Sequence, residues 1–101
     1  MRINTLKTNQ IVITDKGEST FLSYGTKIAR INTNKKNNNL AFTKFWDYSQ
    51  TTTKYLYQFL NDYKNDLSNN IYTSILNALK SNNKKQAFSK LINNKIIKII
   101  D

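Results

Sequence analysis

The residues of this chain best equipped for chemistry sit in one run, Ser49-Gln50-Thr51-Thr52-Thr53-Lys54. Ser49 or Thr51 is placed to open a helix, where free backbone N–H groups and the positive end of the helix dipole attract anions. Hydroxyls on Ser49, Thr51 and Thr52 and the ammonium of Lys54 would complete an anion pocket. The same residues serve equally as caps of a buried helix terminus, with a side-chain oxygen accepting a backbone N–H. Spacing does not separate the two roles. Tyr57 falls outside the apolar stripe of that helix, so its ring is free to stack on a base. Tyr24, Tyr55 and Trp46 read as core residues. From Leu67 to Ile100 there is no acid, while Lys80, Lys84, Lys85, Lys90, Lys95 and Lys98 are present. Lysines meet phosphates as point charges rather than reading bases. The expected anion or nucleic-acid surface therefore comprises Ser49, Thr51, Thr52, Lys54, Tyr57, Lys80, Lys84, Lys85 and Lys90.

Other chemistries are excluded by what is missing. With no histidine and no cysteine, the common zinc and thiol sites and any disulfide framework are absent. Two glycines cannot build a P-loop or a dinucleotide fingerprint. The carboxylates Asp15, Glu18, Asp47, Asp62, Asp66 and Asp101 are scattered. Asp47, between Trp46 and Tyr48, invites pairing with a second acid as a metal or glycosidase pair, but no motif supplies one. No catalytic residue, metal or cofactor is expected, and the reading is non-enzymatic. Sixteen Lys and Arg against six Asp and Glu give a formal charge of +10. Such a charge draws polyanions: nucleic acid, a nucleoprotein or an anionic membrane surface. AT-rich coding, which enriches Lys, Asn and Ile, gives the same composition.

These residues need a scaffold, and 101 residues make one small domain, 1–101. No window approaches eighteen continuous apolar residues, so no membrane span is expected. The N-terminal residues lack the apolar core of a secretion signal, which makes the cytoplasm the default location. Residues 1–45 read as mainly β. A lead-in strand or arm over 1–8 precedes β-branched 9–14, a turn at Asp15-Lys16-Gly17 and a returning strand over 18–24. Gly25 marks a bend or bulge. Strand 27–32 alternates, with Ile28 and Arg30 on one face and Ala29 and Ile31 on the other. After a polar loop at 34–39, residues 40–42 suggest a short fourth strand. Residues 49–93 are mainly helical. Tyr55, Leu56, Phe59, Leu60 and Tyr63 form one helix face from about Thr51 to Asn65. Further stripes follow a break at Leu67–Asn70: Ile71, Ile75, Leu76 and Leu79, then Ala87, Phe88, Leu91 and Ile92. The isoleucines of 95–101 favour a closing strand, although periodicity alone fits a helix almost as well. The expected class is α+β, an antiparallel meander of three or four strands packed on two or three helices, with a C-terminal strand.

Two segments carry a resemblance. Gly17-x-x-x-Phe21-x-Ser23-Tyr24 with Ile28-Ala29, and Trp46-Asp47-Tyr48-Ser49-x-Thr51-Thr52-x-Lys54-Tyr55-x-x-x-Phe59-Leu60, together resemble a family of small bacteriophage and mobile-element proteins of unknown function. The Gly17–Phe21 spacing is one residue longer here, and the resemblance covers roughly residues 10–61. It implies a closing strand at the C-terminus and makes residues 62–82 an inserted helix. It implies a phage or mobile-element setting and no mechanism. The expectation is a small basic protein that binds nucleic acid or a nucleic-acid-bearing host complex. The alternative is a stoichiometric protein inhibitor of a host defence system, for example an anti-CRISPR, acting on a host protein directly; an assembly or virion component is a third reading.

Overall fold

Tight hairpins build the sheet. In the computed structural model, which describes residues 1–100, the first five strands follow one another as β1 (Arg2–Lys7), β2 (Gln10–Asp15), β3 (Glu18–Ser23), β4 (Thr26–Asn32) and β5 (Leu40–Thr43). Lys16 and Gly17 take φ of 51° and 82° between the paired residues Asp15 and Glu18. Tyr24 and Gly25 take 52° and 79° between Ser23 and Thr26. Positive φ at both central residues is the turn form that matches the right-handed twist of paired strands. Gly25 is thus a hairpin residue. Gly17 is also hemmed in, since a Cβ there would lie 2.7 Å from the Asn34 amide.

The chain then turns helical: α1 (Gln50–Asp62), a single 3-10 turn (Lys64–Asp66), α2 (Asn69–Leu79) and α3 (Lys84–Asn93), before β6 (Lys98–Ile100) closes the sheet. Strand order is β1-β2-β3-β4-β5-β6. The first five form an antiparallel meander, one strand longer than expected because Arg2–Lys7 pairs along β2 as a full strand. β6 joins parallel to β5, with Phe42 opposite Ile99. The three helices supply the long crossover that a parallel pair needs. The closing strand was expected at 95–101; the described strand is shorter, and Asp101 lies outside the described residues.

One face of the sheet carries the core. Val12, Phe21, Ile31, Leu40 and Phe42 are buried against Leu56, Phe59 and Leu60 of α1 and Ile71, Ile75 and Phe88 of the later helices. Each such side chain contributes about 1.5–3 kcal/mol on full burial. Aromatic pairs link the layers: Phe21 stacks on Phe59 at 5.8 Å, and Phe42 meets Trp46 at 5.6 Å and Phe88 at 5.9 Å. The strict alternation expected in β4 fails at Ile28. Phe21 pairs with Ala29 and Leu22 with Lys27, so Ile28 is the extra residue of a bulge, and both Ile28 and Ala29 are buried. A bulge locally turns successive side chains to one face.

The polar loop after β4 docks the helical layer. Asn39 is buried; its Nδ2 donates to the Asp66 carbonyl at 2.6 Å and its Oδ1 accepts from the Ser68 N–H at 2.8 Å. Asn70 Nδ2 donates to Asn38 Oδ1 at 2.7 Å. Asparagine fits here because one side chain both donates and accepts.

Candidate functional site

The loop between β5 and α1 is built around a buried tryptophan. Trp46 packs on Phe42, and its backbone N–H donates to the Thr43 carbonyl at 3.1 Å. The Tyr48 N–H donates to the Phe45 carbonyl at 3.1 Å, and Thr43 Oγ1 ties the loop to β4 through the Lys27 carbonyl at 2.6 Å. With Trp46 turned inward, Phe45 and Tyr48 remain 41% and 72% exposed. Tyr24 reaches the same place from the β3–β4 hairpin and is 61% exposed. Its turn is held by a 2.8 Å hydrogen bond from the Tyr24 N–H to the Asn9 carbonyl. Tyr24, Phe45 and Tyr48 line one groove of about 380 Å³, with Ser23, Thr26 and Ile28 completing its lining. Lys44 Nζ sits 5.2 Å from the Phe45 ring centroid. Lys27, the next residue after Thr26 on β4, lines a separate groove on the other sheet face with Glu18, Thr20 and Arg30.

Two features set these rings apart from the rest of the surface. Large exposed aromatics belong to contact surfaces, because a ring left in water forgoes its burial energy. Tyr24 also occupies a left-handed backbone position, which costs a non-glycine residue about 1–2 kcal/mol and which Asn, Asp or Gly fills more readily. Sequence reading assigned Tyr24 to the core and passed over Phe45 and Tyr48. The available signal was the hairpin: a residue beside Gly25 at a turn tip points away from the sheet. Trp46 is in the core as expected, and Tyr55 is partly buried.

The residues expected to bind anions are dispersed. Ser49 caps α1: its Oγ accepts the Thr52 N–H at 3.0 Å and donates to Thr52 Oγ1 at 3.1 Å. Thr52 is fully buried, and its hydroxyl lies 3.0 Å from Ser23 Oγ on β3. Both hydroxyls are committed inside the protein, so Thr52 is withdrawn from any ligand and the helix start works as a cap joined to the sheet. Thr51 and Lys54 are exposed, with Lys54 Nζ 5.3 Å from the Tyr55 centroid. Tyr57 is partly buried, with its ring stacked on Phe88 at 5.2 Å and 13°, so that ring face is taken. Burial, and secondarily the negative charge of Asp47, pushes its phenol above the usual range.

The lysines of the helical layer do not form one face. Lys80 is exposed at the end of α2. Lys84 opens α3 partly buried, and Lys85 Nζ pairs with the Asp47 carboxylate at 3.8 Å. Lys90 is exposed and lines a shallow groove between α2 and α3 with Asn77, Ser81 and Asn94. Lys85 and Lys90 are five residues apart, so they project about 140° apart around α3 at ~100° per residue. Asp47 is exposed and held by Lys85. Among the described residues no group of three or more potential metal ligands clusters, and no helix is long and apolar enough to cross a membrane.

Comparison with known proteins gives one match. A family model described as a family of unknown function (DUF8033) matches residues 2–78. Searches of curated proteins and of solved structures return no match. The matched residues run from β1 through nearly all of α2, and they include Tyr24, Phe45 and Tyr48. The chain therefore belongs to this family of unknown function, DUF8033.

Proposed function

We propose that this protein binds single-stranded nucleic acid, free or within a host nucleoprotein complex, with bases stacking on Tyr24, Phe45 and Tyr48. Lys44 holds an adjacent phosphate. The observation that carries this reading is the convergence of three exposed rings on one groove, with the Lys44 ammonium 5.2 Å from the Phe45 ring centroid, in a chain of formal charge +10. Stacking on aromatic rings contributes about 1–3 kcal/mol per base with little sequence preference, and lysines supply the salt-dependent part. Binding is stoichiometric, with no chemical step. The setting we infer is the cytoplasm of an infected host, and what supports it is the resemblance of the Gly17–Tyr24 and Trp46–Leu60 segments to phage and mobile-element proteins.

The test is fluorescence anisotropy with labelled oligo-dT and oligo-U of about 12 nucleotides, within the site sizes such surfaces cover. Single strands should bind more tightly than a duplex of equal length. Affinity should fall with salt at a log–log slope of about −0.7 per phosphate neutralised. The Phe45→Ala/Tyr48→Ala variant should lose most of the affinity while keeping its fold. Absence of binding at low salt, or equal binding by the double variant, rejects the proposal. A complex with a host protein that survives nuclease treatment, with no affinity for either oligonucleotide, would instead favour a protein inhibitor of host defence.

A further inference from the structure

The sheet ends on a strand whose outer side has no partner. β6 is last in the strand order, and no described residue pairs with it on the side away from β5. Beside it lies a groove of about 510 Å³. The aromatic groove lies past the C-terminal end of β5, whereas this one lies by its N-terminal end, next to Asn38. Its apolar lining is Ile92, Ile96, Ile97 and Ile99, and its charged lining is Lys35, Lys95 and Lys98. Ile99 is on the same sheet face as its neighbour Phe42, yet it is 40% exposed where Phe42 is buried. All three lysines are exposed, and among the described residues no carboxylate lies within ion-pair distance of them.

Three features select the occupant. Unpaired strand edges recruit extended chains through backbone hydrogen bonds. An extended chain alternates its side chains with period two. One set can then meet isoleucines while the other meets ammonium groups. Nucleic acid suits the groove poorly, because its lining has no aromatic ring on which a base can stack. We propose that this groove and the free edge of β6 bind an extended acidic segment of a partner protein, in which carboxylates alternate with aliphatic residues. The carboxylates pair with Lys35, Lys95 and Lys98, and the aliphatic side chains cover Ile96 and Ile99. None of these residues belongs to the aromatic groove, so the two sites stand or fall separately.

The probe is a labelled peptide of alternating glutamate and valine, compared with alternating glutamate and serine and alternating lysine and valine. Anisotropy should rank glutamate–valine first. Amide shifts in the full chain should move at Lys95, Lys98 and Ile99 and stay fixed at Tyr24 and Tyr48. The Lys35→Glu/Lys98→Glu variant should weaken binding by about tenfold or more, as reversing desolvated interface charges does. Lys95→Asn provides a second variant, because asparagine tolerates the φ of 62° found there. It should also weaken binding. Equal binding of all three peptides, no shift along β6, or full affinity in both variants overturns the proposal. Displacement of the peptide by oligo-dT, with shifts at the same amides, also overturns it and gives the groove to nucleic acid.

Discussion

Ser23 Oγ on β3 and Thr52 Oγ1 in the first turn of α1 lie 3.0 Å apart in the buried interior. Ser49 Oγ donates to Thr52 Oγ1, and in the next bond either Thr52 or Ser23 can be the donor. A three-hydroxyl chain thus links the helix cap to the sheet, twenty-nine residues away in sequence. Removing one member strands its partner without water, which costs about 1–3 kcal/mol. Ser23→Ala and Thr52→Val should each lower unfolding stability by that order. The double variant should lose clearly less than the sum of the two. Urea denaturation of the four proteins checks this, and simple additivity would show that the bond contributes nothing.

Tyr24 couples strain to exposure. Asparagine is better suited to its left-handed turn position, so Tyr24→Asn should raise stability by about 0.5–1 kcal/mol. The same substitution removes a stacking ring and should weaken oligo-dT binding by about fivefold or more. Paired urea and anisotropy measurements read both effects. A variant that is stabilised with unchanged affinity would make Tyr24 an ordinary surface residue.

Gln10 is fully buried beside Ser23, its cross-strand partner, and neither end of its side-chain amide meets a protein hydrogen-bonding group. Methionine fills a similar volume without a polar group to satisfy. Gln10→Met should raise unfolding stability by about 1–3 kcal/mol. An unchanged or lower urea midpoint would show that the amide is satisfied in solution.

Tyr57 gives a pH signature. Its phenol is raised by burial, with Asp47 adding to the effect, so the folded state holds this proton more tightly than the unfolded chain does. The associated stability is fully present below the ordinary phenol value of about 10. It is lost as pH rises from there through the higher folded value, because the unfolded chain ionises first. Tyr57→Phe should therefore show a shallower fall in stability above about pH 10 than the parent. The two proteins differ only at this phenol, so the difference between the two urea series between pH 8 and 11 isolates the tyrosine. Parallel curves would reject the assignment.

The hairpin at Asp15-Lys16-Gly17, the strands around it, the helical stripe of Leu56, Phe59 and Leu60 and the Ser49 cap were legible because each rests on local chemistry. Turn residues, β-branching and three-to-four spacing act over a few positions. The helical stripe of Ala87, Phe88, Leu91 and Ile92 was legible in the same way. The surroundings of the candidate anion-binding residues were not legible. Whether Thr52 faces a ligand or Ser23 depends on a strand that precedes it by a long stretch of chain. Whether Tyr57 stacks on a base or on Phe88 depends on where α3 is laid down.

By itself the sequence determined the α+β class, the positive charge and the order of most elements, since these follow from composition and short-range periodicity. Only the tertiary structure decided which polar and aromatic side chains remain free. The bulge at Ile28, the inward turn of Trp46 and the parallel docking of β6 are long-range events, fixed by how the sheet and helices share one core. They bring Tyr24, which is twenty-one residues from Phe45 in sequence, into the same groove. They also commit the hydroxyls of Ser49 and Thr52 to hydrogen bonds within the protein. No local pattern encodes that exchange, because it depends on partners that approach only when the chain is folded.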